Sequence, residues 1–221
     1  MLFNNHIFAT SQELPPLGAW LYQYVVASNG VFVRASRPGL QAMIPVAECT
    51  PNIRGLELAE PYVRLQKKVP EKLLTQALLW SIQAMPNEAL VWFNLDGASS
   101  RWTARRPEQV QRKMSVQPTD AFDPFGATAL VDLHSHNSMP PFFSTTDNRD
   151  ETGFRIYAVI GSIHPRGLKP PRVRVRVGIY GHVFPLPASD VFNLPPFLVD
   201  ANIHDPSAYE NENEELLDGI Q

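Results

Sequence analysis

Two of the six histidines in this 221-residue chain stand at alternate positions, His134 and His136, within "LVDLHSHNSMPPFFSTTDNRDE", residues 130–151. The apolar lead "ATALVDL" marks a buried strand, and side chains two apart on a strand share a face. Two imidazoles side by side at a strand end form a two-point grip for zinc. Asp147 supplies a third ligand if the loop "NSMPPFFST" turns back on the strand. Ser144-x-x-Asp147 is also a helix-capping signature, so Ser144 is placed to cap a turn that presents Asp147. Three protein ligands and one open position is the arrangement of a catalytic zinc rather than a structural one. Asp132 falls on the same strand face as the histidines, either as an orienter behind them or as a solvated residue.

The full spacing runs His134-Ser135-His136, seven residues, then Ser144-Thr145-Thr146-Asp147. It resembles the motif of the JAMM (JAB/MPN) metalloproteases, prokaryotic JAB-domain type, in which an upstream glutamate precedes His-Ser/Thr-His-x7-Ser-x-x-Asp. In that family the glutamate follows a long helix at the start of a strand. "ALLWSIQAMPNEALVWFNLDG" fits that placement, so the resemblance assigns the role to Glu88. Glu71 lies inside the helix, and Glu57 and Glu60 precede it. The family's glycine shortly after the glutamate is absent, with "ALVWF" in its place.

The resemblance covers residues 68–185 or so and implies a zinc-dependent hydrolase of peptide or isopeptide bonds. It places Zn2+ on His134, His136 and Asp147, with Glu88 as general base and Ser144 as donor to the oxyanion. The implied substrate is the bond that follows the C-terminal tail of a ubiquitin-like protein. A β-rich N-terminus and a Pro-rich C-terminus extend the likeness to the bacterial PRTRC system protein A group. Members of that group are encoded beside a ubiquitin-activating-like adenylating enzyme, which implies such an enzyme as a partner. Two other readings stand beside this one. A JAMM-like module that only binds a partner would share the motif without turnover. A PHP-type metal phosphoesterase is suggested by "DLHSHNS", although there the motif opens the domain and further ligands follow. Here only His164, His182 and His204 follow.

The elements that must position these residues are legible in part. "WLYQYVVA" and "VFVRA" flank "SNG" as a hairpin, and "LQAMIPVAE" reads as a third strand. Pro70 opens a helix over 70–84 whose stripe is Leu73, Leu74, Ala77, Leu78 and Ile82. "EALVWFNLDG" follows as a buried strand. "SRWTARRPEQVQRKMSVQP" is expected to hold one more strand and "TDAFDPFG" to be loop. "FRIYAVIGSI", "RVRVRVGIYG" and "HVFPLP" read as three further strands, and "NENEELLDGIQ" as an acidic, frayed tail. Met139, Phe142 and Phe143 are either substrate-facing walls or core anchors of their loop. The element order reads as α/β with a mixed sheet, and the resemblance implies a cytidine-deaminase-like JAB/MPN core of mixed β-sheet flanked by helices, with an N-terminal β-rich segment appended. The divisions are 1–67 for that segment, 68–187 for the hydrolase domain and 188–221 for a Pro-rich, acidic tail.

Composition bounds the rest. Hydrophobic residues at 44% and charged residues at 19% describe a globular chain. A net charge of −3 gives no basic footprint for nucleic acid. "PRVRVRVG" alternates Arg with Val and reads as a strand with one solvated, charged face. Cys49 is the sole cysteine, which rules out an internal disulfide and a thiolate zinc site and suits a reducing compartment. No signal peptide or membrane-spanning run is evident, so a cytoplasmic protein is expected.

Overall fold

The computed structural model describes residues 6–17, 21–164, 167 and 169–201; the acidic "NENEELLDGIQ" and His204 lie outside them. The chain opens with a five-stranded sheet: β1 (His6–Phe8), β2 (Gln23–Ala27), β3 (Gly30–Arg37), β4 (Leu40–Glu48) and β5 (Tyr62–Leu65), side by side in that order. The β2–β3 turn falls at Ser28-Asn29, and Gly30, which opens β3 with φ of +155°, lies where a Cβ would collide with the Ala47 carbonyl oxygen of β4.

Helix α1 (Glu71–Ala84) follows, burying Leu74, Ala77 and Leu78, and then β6 (Leu90–Asp96). The stretch expected to hold one strand holds three: β7 (Arg101–Arg105), β8 (Gln109–Arg112) and β9 (Ser115–Pro118). Part of the expected loop "TDAFDPFG" enters a short helix, α2 (Pro124–Thr128). Asp123 caps it by accepting from the Phe125 amide, with Pro124 at its first position. The remaining elements are β10 (Val131–Ser135), α3 (Thr145–Asp150), β11 (Arg155–Gly161), β12 (Arg172–Ile179), β13 (His182–Leu186), α4 (Ala188–Val191) and β14 (Val199–Asp200). The second sheet runs β13-β12-β11-β10-β6-β7, with β14 paired to β12, while β8 and β9 pair only with each other. β10 lies parallel to β11 and antiparallel to β6, so the sheet is mixed. The fold is thus α/β with sheet predominating. No helix among the described residues is long and apolar enough to cross a membrane.

Strand alternation divides the large sheet into two faces. Val91, Phe93, Val131, Leu133, Ile156, Ala158, Val175 and Val177 join the main apolar cluster, together with α1 and with Val33, Leu40 and Ile44 of the first sheet. The first sheet is therefore a layer over the same core, and β3 and β4 touch β12 and β13 directly. Residues 188–201, within the segment expected as a tail, are also part of that core: Ala188, Val191, Phe192 and Leu198 are buried there. Their apolar side chains outweigh the Pro-rich composition that suggested an open chain.

The opposite face carries Leu90, Trp92, Asp132, His134, Tyr157, Arg174 and Arg176. Here the expectation of a solvated arginine face is corrected, because Arg174 and Arg176 are buried. The loop after β10 and helix α3 fold over this face. Arg176 donates to Glu151 Oε2 and to Asn148 Oδ1 of that region, and its guanidinium lies 3.8 Å from the centre of the Phe143 ring.

Candidate metal centre

β10 delivers the two histidines because its apolar residues Val131 and Leu133 must face the core, which turns Asp132 and His134 the other way. His136 stands just beyond the strand end, and Asn137 follows with φ of +50° as the chain turns away. The loop returns at Ser144, the N-cap of α3. The Ser144 hydroxyl accepts from the Asp147 amide at 3.2 Å, while Asp147 Oδ2 accepts from the Ser144 amide at 2.6 Å and from Ser144 Oγ at 2.7 Å. One carboxylate oxygen of Asp147 is thus spent on the cap, which leaves Oδ1 facing the histidines.

His134 Nε2 lies 3.2 Å from His136 Nε2 and 3.4 Å from Asp147 Oδ1. The three donor atoms all lie within 4.8 Å of one another. Bonds of about 2.0–2.1 Å to a tetrahedral zinc would set neighbouring donors about 3.3 Å apart, so the two closest separations fit that ion. The donor set, two imidazole nitrogens and one carboxylate oxygen, also suits it. Burial, then the neighbouring His134, push the His136 imidazole down to about 4, leaving it neutral at physiological pH as a ligand must be.

Glu88 comes to the same point by strand register. β6 and β10 pair Phe93 with Val131, Trp92 with Asp132, Val91 with Leu133 and Leu90 with His134. Continued past the last pair, Ala89 meets Ser135, and Ala89 donates to Ser135 Oγ at 2.9 Å while Ser135 donates to the Ala89 carbonyl at 3.0 Å. One step further, Glu88 stands opposite His136, and Glu88 Oε1 is 4.0 Å from His136 Nε2. Glu71 lies in α1, and Glu57 and Glu60 precede β5, so none of them shares this register.

A cavity of about 230 Å³ opens over these groups, lined among others by Glu88, His134, His136, Ser144 and Asp147. Phe142 and Phe143 divide between the two roles open to them. Phe143 packs with Tyr157 and Val159, whereas Phe142 is 38% exposed and sets its ring edge-on to His136 at 4.5 Å. Met139 joins the cavity wall. Asp132 is held, accepting from Trp92 Nε1 at 3.2 Å, with Arg155 Nη1 at 3.6 Å; burial raises its carboxyl. His182 is engaged elsewhere, with its Nε2 3.0 Å from the Tyr24 hydroxyl.

Three positioning groups are not signalled by any motif. Asn137 Nδ2 donates to the Pro86 carbonyl at 2.8 Å, tying the turn before Glu88 to the end of the histidine strand. Glu151 and Arg176 anchor α3 from behind. Their only trace in the chain is an Arg–Val alternation and an acidic run, which read equally well as solvated surface. No family model matches the chain, and no curated protein matches it.

Glu88 is buried, and that burial, followed by the charge of Asp147, raises its carboxyl to about 8 in the metal-free protein. An acid raised on folding adds stability that is fully present below its unfolded value. That stability is lost as pH rises through its folded value. Metal-free protein should therefore melt at a lower temperature at pH 9 than at pH 6, and Glu88→Gln should flatten part of that slope. Thermal melts of both proteins across this range check it; identical slopes would mean that Glu88 titrates as an ordinary surface carboxyl.

Proposed function

We propose that this protein is a zinc-dependent hydrolase of peptide or isopeptide bonds of the JAMM type, acting after the C-terminal tail of a ubiquitin-like protein. The reading treats the large mixed sheet and α1 as a cytidine-deaminase-like JAB/MPN core. The observation that carries it is the convergence of His134, His136 and Asp147 on one point with the Glu88 carboxyl beside them. Three donors leave a coordination position open, and a raised, buried carboxyl at the cluster's edge with an open cavity above suits catalysis.

In this reading His134, His136 and Asp147 hold the zinc. When bound, it acts as a Lewis acid that makes water available as a nucleophile near neutral pH. Glu88 is placed as the general base: with a cation held beside it, its carboxylate would be favoured, and it would accept a proton from the attacking water and return it to the departing amine. Phe142 shields His136 from solvent on the cavity side. The Ser144 hydroxyl hydrogen is directed at Asp147 Oδ2, which fixes the carboxylate with its other oxygen, Oδ1, toward the histidines. The same hydroxyl serves an oxyanion only after turning from that bond. A ubiquitin-activating-like adenylating enzyme as partner follows from the same resemblance.

Zinc content of purified protein beside His136→Ala, with assay of C-terminal fusions to ubiquitin-like proteins, tests the reading. One zinc per chain in the wild type, its loss in the variant and chelator-sensitive cleavage are expected. Two metals per chain would move the reading to a phosphoesterase. Retained zinc without cleavage of any fusion would leave a partner-binding module.

A further inference from the structure

Glu88 sits before the first residue of β6, at a point where its strand has a partner on only one side in the large sheet. β10 takes the Ala89 amide and carbonyl through Ser135. The groups on the other edge, those of Glu88 and Leu90, must find partners elsewhere or remain unpaired in a buried setting. They find them in the β8–β9 hairpin. The Glu88 amide donates to the Arg112 carbonyl at 2.8 Å, and Gln111 Nε2 donates to the Glu88 carbonyl at 2.7 Å. The Leu90 amide donates to Gln109 Oε1 at 2.7 Å. Arg106 fixes the Gln111 amide in turn, donating to its Oε1 at 3.1 Å. Two glutamine side chains thus do the work of a neighbouring strand, on alternate positions of β8 that share a face.

The same hairpin is a wall of the cavity. Met114, Val116 and Pro118 line it, and Met114 is 75% exposed. The element that closes one side of the site is therefore bonded directly to the backbone that carries its carboxyl.

We propose that Gln109 and Gln111 are positioning residues for Glu88, and that the β8–β9 hairpin is a latch that holds the Glu88 backbone at the distance from His136 that the chemistry needs. The role of Glu88 rests on the hydrolase reading; the latch itself does not. With both amides gone the hairpin keeps only the bond from the Glu88 amide to the Arg112 carbonyl and loses its hold on the Glu88 carbonyl and the Leu90 amide, while β6 keeps its pairing with β10 and β7.

The test is the full chain carrying Gln109→Met and Gln111→Met, which keep side-chain length and remove the amides. Amide hydrogen exchange is followed residue by residue, with Val91 and Phe93 in the same strand as internal references. Protection at Leu90, whose amide loses the Gln109 Oε1 acceptor, should fall by roughly tenfold or more while Val91 and Phe93 keep theirs. Zinc content should remain that of the wild type. For any ubiquitin-like fusion the wild type cleaves, kcat should fall about tenfold or more with KM unchanged, the split expected when only the base is misplaced. Unchanged protection at Leu90 would overturn the latch, and so would equal loss at Val91 and Phe93. An unchanged kcat with Leu90 deprotected would overturn the role of the two glutamines in positioning Glu88. If the wild type cleaves nothing, the exchange data still decide the latch, and it is the hydrolase reading that falls.

Discussion

Glu88→Gln is expected to keep one zinc per chain and to lose turnover by about 10³-fold, within the range that a positioned general acid–base contributes. The separation of the two effects comes from geometry. The donor atoms that converge belong to His134, His136 and Asp147, while the nearest Glu88 oxygen stands 4.0 Å from His136 Nε2, beside the cluster rather than in it. Glutamine keeps the size of the side chain and its ability to hydrogen-bond, so the register of β6 on β10 is undisturbed. What it removes is the capacity to take up a proton. His136→Ala and Asp147→Ala act differently, because each deletes one of three donors and metal and activity should go together. Elemental analysis and a cleavage assay on the same preparations distinguish the two patterns. Full activity in Glu88→Gln would remove the general-base assignment and leave the cluster as a metal site of another kind.

The features legible in the chain are those fixed by local pattern. The hairpin around Ser28-Asn29, the helix from Glu71 to Ala84 and the strand ending in the histidines each follow from turn chemistry or apolar spacing within a dozen residues. Ser144 and Asp147 are legible for the same reason, since a capping box is a three-residue relation. Glu88 needed a family resemblance, and the physical reason it stands beside His136 is a strand register between segments 40 residues and more apart. No local rule carries that. The β8–β9 hairpin was missed because its turn, Arg112 to Ser115, holds no Gly, Asn, Asp or Pro, and its strands are four residues each. The short helix α2 has a start signal in Asp123-Pro124, which the surrounding Pro and Gly obscured. The arginines of β12 were misjudged because alternation tells which residues share a face and not what covers it; α3 and the loop before it do so here.

Those arginines carry the largest expected effect on stability. Arg176→Met should lower the stability of the metal-free protein by about 3–5 kcal/mol, the usual result of removing one partner of a buried ion pair. Arg176 is 4% exposed, with Nη2 2.6 Å and Nε 2.8 Å from Glu151 Oε2. Its Nη1 holds Asn148, and its guanidinium stacks on Phe143. Methionine preserves most of the stacking but leaves Glu151 facing an apolar neighbour. Burial already pushes the Glu151 carboxyl up, and Arg176 is the group that opposes it. Without Arg176 the carboxyl protonates more readily, so the deficit of the variant should shrink as pH is lowered. For a chain of this length each kcal/mol corresponds to about 2–4 °C in Tm, so a drop of roughly 6–20 °C is expected above pH 8, where the Glu151 carboxyl, raised to about 8, is ionised in the wild type. Arg176→Met with Glu151→Leu should recover much of it, because no buried charge is left unmatched. The consequence reaches the candidate metal site, since Asn148 and Glu151 belong to the segment that presents Asp147. Zinc affinity in the single variant should fall although no ligand has changed, and the double variant should not regain it, because the tie between α3 and β12 is still cut. Equal melting temperatures in wild type and Arg176→Met would show that solvent reaches Glu151 and that α3 is held by its cap and by Phe143 alone.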